Sequence, residues 1–250
     1  MAEQPYIRNS AATGARVDGE IDAGLRAYMI RVYNYMALGI ALSAVITMAL
    51  ANAPGLLATV SSLGIVFFIA LIAVSWFGPR MVLNAKSEGM AHAFYWGYAA
   101  LWGVAIAPMV VAYLNLAPGL VVQAFAITAA LFGSMSLIGY TTNRNLTGIG
   151  QFAVMAMMGL IIAMLVTFAI SFFGGGGISP WVSFGFSAVY VLLISAITAW
   201  ETQAIKNMYM ESDGQAVANR KAIFGAFLLY GSFISMFIHI LNMLGIMSND

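Results

Sequence analysis

The chain has 250 residues, of which 62% are hydrophobic and 8% are charged, and ten Lys/Arg against nine Asp/Glu leave a net charge of +1. Soluble domains carry about 25% charged residues, so this composition excludes an ordinary soluble enzyme and a disordered protein, and the charge balance excludes a basic nucleic-acid-binding protein. With a mean hydropathy of +0.91, the sequence predicts a helical membrane protein with several spans. The absence of cysteine excludes disulfides, thiolate metal sites and cysteine nucleophiles.

Residues 1–31 mix four arginines with four acidic residues and lack the apolar segment of a signal peptide. They predict a polar cytoplasmic tail, followed by a membrane domain over residues 32–250. Seven apolar runs follow, which predict an all-α membrane protein with seven transmembrane helices. The runs cover residues 32–52, 57–77, 91–113, 119–139, 151–173, 181–203 and 222–246. Gly and Pro residues lie in the connections between the runs, and Gly78–Pro79 is expected to end the second helix.

The positive charges predict the orientation of the bundle. All ten Lys and Arg residues fall in the tail or in the 2–3, 4–5 and 6–7 loops, and the other loops and the C-terminal end contain none. Cytoplasmic loops carry the excess of Lys and Arg, so the N-terminus is expected in the cytoplasm and the C-terminus outside. A re-entrant hairpin over residues 222–246 is the alternative, and it would leave the C-terminus inside.

Two ionisable residues lie inside the predicted spans. Glu201 is the only carboxylate, near the end of the sixth span, and His239 is the only deeply placed base, in the seventh. Such residues are costly in a membrane and usually face a bundle interior or a cavity. By helical rise Glu201 lies about 30 Å from Trp181, at the cytoplasmic border. An interfacial side chain that reaches towards water is therefore an alternative to a buried functional group.

The seventh span carries a polar stripe. Ser232, Ser235, His239 and Asn242 recur at spacings of 3, 4 and 3, which places them on one side of a helix. In lipid such a side must be shielded by other helices, so the seventh span is expected to be central. The stripe either holds helices together by hydrogen bonds or lines a hydrated path, and both interpretations stay open.

Ser187 on the sixth span and His239 on the seventh are expected at similar depth, about 10 Å below the outer surface. This pair could suggest an intramembrane serine protease, but nothing in the sequence supplies oxyanion donors. The zinc-protease signature and phosphate-binding loops are also missing. We therefore expect no enzyme, no catalytic residues, no cofactor and no bound metal.

Three segments resemble the Bax inhibitor-1 family, the transmembrane Bax-inhibitor-motif proteins, and most closely its bacterial members. The first is YNYMALG at residues 33–39, and the second is GSMSLIGYTTNRNL at residues 133–146. The third combines AWETQAI at residues 199–205 with LLYGSFISMF at residues 228–237. The resemblance covers all seven predicted spans in order and leaves out only the tail.

The resemblance implies a fold of six helices in two layers around a central seventh. It also implies a pH-sensitive leak of calcium or other cations, gated by one carboxylate that ends the sixth span and another in the seventh. Here Glu201 keeps the first charge, whereas the second acidic position falls on Ser232 and the following family asparagine on Ser235. The arginine of the second helix in this family corresponds to Arg80.

The expected function is thus a multipass inner-membrane protein in the lipid bilayer that leaks Ca²⁺ or other cations through an altered pH gate. Gate and pore candidates are Glu201, Ser232, Ser235, His239, Asn242 and Arg80. Glu201 is expected to accept hydrogen bonds from hydroxyls of the seventh span or to pair with Arg80. Ser232 does not titrate, and a cation such as Arg80 beside Glu201 would keep the carboxylate ionised. We therefore expect little change in gating between about pH 6 and 8.

The alternative function is a regulatory partner that conducts nothing and binds another membrane protein, such as a membrane-bound AAA protease. The resemblance suggests it, because some bacterial family members are linked to such a protease. Deletion of residues 1–27 would separate the two functions. A regulatory partner would lose its phenotype with the tail, whereas a leak would keep its flux.

Overall fold

The computed structural model describes the backbone of residues 6–248 and the side chains of residues 23–67 and 69–248, and this part forms helices without any strand. The helices are α1 (Tyr6–Ala51), α2 (Pro54–Ser62), α3 (Gly64–Leu83), α4 (Glu88–Leu116), α5 (Pro118–Thr141), α6 (Thr147–Gly174), α7 (Pro180–Asn207) and α8 (Gln215–Met247). Within the described residues, seven of them, all except α2, are long and apolar enough to cross a membrane. The prediction of an all-α membrane protein with seven spans is confirmed.

The bounds predicted for the second span were wrong. A short helix, α2, ends at Ser62, and the spanning helix α3 begins two residues later. Gly78 and Pro79 lie inside α3 and do not end it, and Arg80 lies in its last turn and not in a loop. Membrane helices tolerate proline because neighbouring groups can satisfy the freed carbonyl. Gly78 also contacts the ring of Phe227 in α8, where a Cβ atom would come within 2.4 Å.

The tail and the first span form one helix. Helix α1 runs from Tyr6 to Ala51, so the backbone has no break at residue 31. The division into a tail and a membrane domain stays a prediction. Residues 1–5 of the tail and residues 249–250 at the C-terminus lie outside the described residues.

Helix α8 is the most buried spanning helix. In its most apolar segment 67% of the residues are buried, whereas the corresponding segments of the other six lie between 11% and 33%. It packs against α1, α3, α4, α5 and α7. Its 33 residues form one continuous helix of about 50 Å, so the segment is not a re-entrant hairpin. This central place agrees with the polar stripe, and the two-layer arrangement of the other helices stays a prediction.

Close backbone approaches fix the helices that surround α8. Gly103 of α4 packs on the backbone of Ser43 in α1, and Gly139 of α5 packs on the backbone of Ala199 in α7. In the first contact the Ser43 hydroxyl donates to the Ala99 carbonyl at 2.7 Å. Small residues let membrane helices approach this closely. The second contact fixes α7 against α5 two residues before Glu201.

Candidate functional site

Three basic side chains form hydrogen bonds or an ion pair at one end of the bundle. Lys206 at the end of α7 donates to the Tyr140 carbonyl of α5 at 2.9 Å. Arg220 near the start of α8 donates to a backbone carbonyl in the α3–α4 connection at 2.8 Å. Lys221 forms an ion pair with Asp213 at 2.6 Å. We call this end of the bundle the basic end, and the opposite end the neutral end.

The central contact of the candidate site joins α7 to α8. The Ser232 hydroxyl donates a hydrogen bond to Glu201 Oε2 at 2.7 Å. Ser232 is buried, with 4% of its surface exposed, and lies near the middle of α8. The hydrogen bond expected between Glu201 and a hydroxyl of the last span therefore exists, and the carboxylate turns towards α8. An interfacial Glu201 that reaches away from the bundle does not fit this arrangement.

Arg80 does not take part in this contact. Among the described residues, Glu201 has no salt bridge, and Arg80 is exposed at the end of α3. The expected pairing of Arg80 with Glu201 was therefore wrong. The expectation of a flat pH response rested partly on a cation beside the carboxylate, and that part of the argument no longer holds.

The register of α7 and α8 explains how Glu201 reaches Ser232. By helical rise, a sixth span that ends at residue 203 and a seventh that begins at residue 222 would place Glu201 and Ser232 about 10 Å apart in depth. In the structure α7 continues to Asn207, and α8 begins at Gln215. The first turns of α8 therefore extend beyond the end of α7, and Lys221 lies beside the Met208 carbonyl at 2.9 Å. This register brings Glu201 to the middle of α8.

A partly accessible stripe runs along α8. Between Ala222 and Leu241 fourteen of twenty residues are buried, and the other six recur at spacings of 4, 3, 4, 3 and 1. These six are Phe224, Leu228, Gly231, Ser235, Ile238 and His239. They lie on one side of the helix, and the partly accessible Asn242 continues the stripe. Other helices cover the remaining sides, and we call this partly accessible side of α8 the crevice.

The borders of the crevice come from α7 and α4. Glu201 on α7 is itself only partly buried, and its carboxylate accepts from Ser232, the neighbour of Gly231 in the stripe. On the other side, the hydroxyl of Tyr98 in α4 lies 2.9 Å from where a Cβ atom on Gly231 would be. Tyr98 is held by a hydroxyl contact of 3.3 Å with Ser75 of α3 and by stacking on Phe227 at 4.0 Å between ring centroids. Glycine at position 231 thus keeps the crevice open beside the tyrosine.

A chain of hydroxyl groups positions α7 next to Glu201. Tyr33 of α1 contacts Ser136 of α5 at 2.6 Å between oxygens, and Ser136 contacts Thr202 of α7 at 3.0 Å. Thr202 also donates to the Thr198 carbonyl one turn earlier. The three segments singled out in the sequence meet here, since each contributes one hydroxyl. These residues were not predicted as part of the site, although all three lie in those segments.

Gln203 fixes the connection between α5 and α6. Its amide nitrogen donates to the Arg144 carbonyl at 2.8 Å, and its carbonyl oxygen accepts from the Leu146 backbone N–H at 2.8 Å. The loop of the second segment is therefore tied to the residue that follows Thr202 in the third. The sequence singled out both segments without indicating this contact.

A second cluster of polar side chains joins α7 to α8 nearer the neutral end. Asn242 Oδ1 accepts hydrogen bonds from Ser183 at 3.2 Å and from Ser187 at 3.1 Å. The Ser187 oxygen also contacts His239 Nδ1 at 3.1 Å. The imidazole ring stacks on Tyr190, with 3.8 Å between centroids. We call Ser183, Ser187, His239 and Asn242 the outer polar cluster.

The structure thus brings Ser187 and His239 together, as a protease dyad would require. A serine nucleophile must give its proton to the histidine. Ser187 has one proton and donates it to Asn242, so its oxygen is left to accept from His239 Nδ1. This pattern suits a structural hydrogen-bond cluster better than an activated nucleophile.

The predicted site residues therefore fall into two groups along one crevice. Glu201 and Ser232 form the contact in the middle of α8, and His239 and Asn242 belong to the outer polar cluster. Ser235 lies between the two groups on the accessible stripe. The sequence did not assign Tyr190, Tyr98 or Ser183 to the site, because their partners lie on other helices.

Comparison with known proteins finds relatives over nearly the whole chain. The family profile described as "Inhibitor of apoptosis-promoting Bax1" matches residues 25–249. A protein of Caulobacter vibrioides is 34% identical over 96% of this chain and 96% of its own length, and a protein of Deinococcus radiodurans is 35% identical over 87% and 90%. The inner membrane protein YbhL of Escherichia coli is 31% identical over 89% of this chain and 93% of its own length. The matched residues include α1 from residue 25 and the other helices in full.

Proposed function

The chain belongs to the Bax inhibitor-1 family, and on that premise we propose that it is a leak for Ca²⁺ or other cations through the bacterial inner membrane. The ions pass along the crevice on α8, and the contact between Ser232 and Glu201 closes it. That contact is the observation that carries the proposal, because it joins two helices at a carboxylate in the middle of the bundle. The protein catalyses no reaction.

The chemistry of the contact supports a cation path. A carboxylate inside a membrane is costly, and such residues commonly mark ion pathways. Carboxylate oxygens attract cations and repel anions, and a passing cation can replace the Ser232 hydroxyl as the partner of Glu201. The crevice continues from this point past the partly accessible Ser235 and His239 towards the neutral end, and the proposed path follows it.

The location and orientation belong to the same proposal. The relative YbhL is named an inner membrane protein, which supports the inner membrane for this chain. The basic end faces the cytoplasm, since Lys and Arg prefer that side. The N-terminus then lies in the cytoplasm and the C-terminus outside.

The pH gate is altered, because a hydroxyl stands where the resemblance implies a second carboxylate. Two carboxylates in contact share a proton, whereas a carboxylate and a hydroxyl cannot. The leak of this protein therefore depends on pH less steeply than a leak gated by two acids.

Flux into liposomes tests the proposal. Purified protein is reconstituted with an encapsulated calcium-sensitive dye, and Ser232→Ala is compared with the natural chain. Loss of a hydrogen bond to a charged group, about 1.5–3 kcal/mol, would raise the open fraction by roughly tenfold or more. Glu201→Gln also raises the basal leak, but less, because its amide oxygen can still accept from Ser232.

Ser195→Ala is the matched control. Ser195 lies on the same helix, and its hydroxyl donates only to the Val191 carbonyl one turn earlier. Its removal should leave the flux unchanged. The proposal is wrong if neither the natural chain nor Ser232→Ala conducts more than empty liposomes, with both proteins folded.

A further inference from the structure

Two sets of hydrogen bonds join α7 to α8 at successive levels along the crevice. The first is the Ser232–Glu201 contact, and the second is the outer polar cluster around Asn242. Ten residues separate Ser232 from Asn242, a distance of about 15 Å along the helix. Ser235 lies between them and is partly accessible.

The hydrogen bonds of the outer polar cluster hold α7 against α8 and can therefore close the crevice at this level. Asn242 takes two hydroxyl donors from α7, and the imidazole of His239 fills the space beside Ser187 while it stacks on Tyr190. These contacts satisfy one another while α7 and α8 are together. When the helices part, each polar group is left without its partner and needs water or an ion in its place. Opening at this level is therefore coupled to hydration.

Resting on the proposed function, we propose that Asn242, held by Ser183 and Ser187, closes the outer end of the cation path. The path then has two closures in series, with a chamber at Gly231 and Ser235 between them. The outer closure contains no carboxylate, so it controls access, and Glu201 alone distinguishes cations from anions. Loss of one closure opens the chamber to one side only.

The natural chain contains no cysteine, which makes the chamber directly measurable. Ser235→Cys places one thiol between the two closures with almost no change in size. A membrane-impermeant maleimide is added to spheroplasts, which expose the outer face, or to inverted membrane vesicles, which expose the cytoplasmic face. In the otherwise natural chain, labelling should be slow from both sides.

Combination with Asn242→Ala removes the acceptor of two hydrogen bonds, so it should raise labelling from the outer face by about tenfold and leave the cytoplasmic face unchanged. Combination with Glu201→Gln should raise labelling from the cytoplasmic face only. If Asn242→Ala does not fold, the pair Ser183→Ala and Ser187→Ala removes both donors and keeps the asparagine. Correct folding is checked by size-exclusion chromatography in detergent.

Ser43→Ala is the control for general loosening of the bundle. Ser43 contacts Tyr230 of α8 at 2.6 Å, away from the crevice, so its loss also removes a hydrogen bond to α8. It should leave labelling of Ser235→Cys slow from both faces. Equal labelling in the Ser43→Ala and Asn242→Ala backgrounds, or fast outer labelling without either change, would overturn the outer closure. Because labelling does not depend on flux, a failed outer closure is distinguishable from a protein that conducts no cations.

Discussion

Replacement of Gly139 by alanine tests the closest approach between two spanning helices. A Cβ atom at this position would lie 2.1 Å from the Ala199 oxygen of α7, 2.9 Å from its carbonyl carbon and 3.0 Å from its Cα. All three atoms belong to the backbone, so no change of rotamer removes the overlap. The two helices must move apart by roughly 1 Å to restore ordinary contact distances.

The cost follows from the size of this movement. Overpacking of a well-packed interior costs about 1–3 kcal/mol. Alanine also stabilises a helix relative to glycine by about 0.5–1 kcal/mol, which must be measured separately. Gly133→Ala provides that measurement, because Gly133 lies on the same helix and has no atom within 4 Å of its Cβ position.

Thermal unfolding of both variants in the same detergent is the assay. We expect Gly139→Ala to unfold about 2–12 °C below Gly133→Ala, since 1 kcal/mol corresponds to about 2–4 °C for a chain of this size. Equal melting temperatures would show that α5 and α7 are not in backbone contact. The position of Glu201, two residues after Ala199, would then need revision.

Three further predictions concern the gate, the topology and a loop. Ser232→Asp should make the flux between about pH 6 and 8 steeper than in the natural chain, because two carboxylates at this distance share a proton; an unchanged profile would show that the two side chains do not meet. Gln203→Leu should speed proteolysis of the α5–α6 connection, as it removes the hydrogen bonds to Arg144 and Leu146, and unchanged cleavage would contradict that contact. Reporter fusions should test the orientation, and a cytoplasmic signal at the fifth–sixth connection would refute it. We expect periplasmic signals after Asn52, Asn115 and Gly176, and cytoplasmic signals after Lys86, Arg144 and Asp213.

Composition and periodicity were sufficient to predict the helices and the place of α8. Long apolar runs must become helices in a bilayer, because every backbone polar group needs an internal partner. The same argument made the polar stripe with Ser235 and His239 a reason to expect a shielded helix. It also indicated that Glu201 needs a hydrogen-bond donor, and the structure supplies Ser232.

Contacts between helices could not be predicted in the same way. Ser136 has the hydrogen-bonding capacity of any serine in an apolar helix, and its partners Tyr33 and Thr202 lie 103 and 66 residues away. Such partners depend on the register of neighbouring helices, and a shift of a few residues at a helix end changes them. The end of α7 at Asn207 and the start of α8 at Gln215 are offset in depth, and the contact between Glu201 and Ser232 depends on that offset.

The depth of Glu201 also exposes the gate to the electrical potential of the membrane. In the proposed leak, Glu201 lies inside the spanning part of α7, which ends at Asn207, so an ionised carboxylate that moves to the cytoplasmic surface crosses part of the field. Movement of one charge across the whole membrane corresponds to about 2.3 kcal/mol per 100 mV, and the step from Glu201 to the cytoplasmic surface corresponds to a fraction of that. With the cytoplasm negative, the potential pushes a carboxylate away from that surface and holds it against α8. In the proposed leak, an energised membrane therefore favours the closed contact, and depolarisation increases the open fraction.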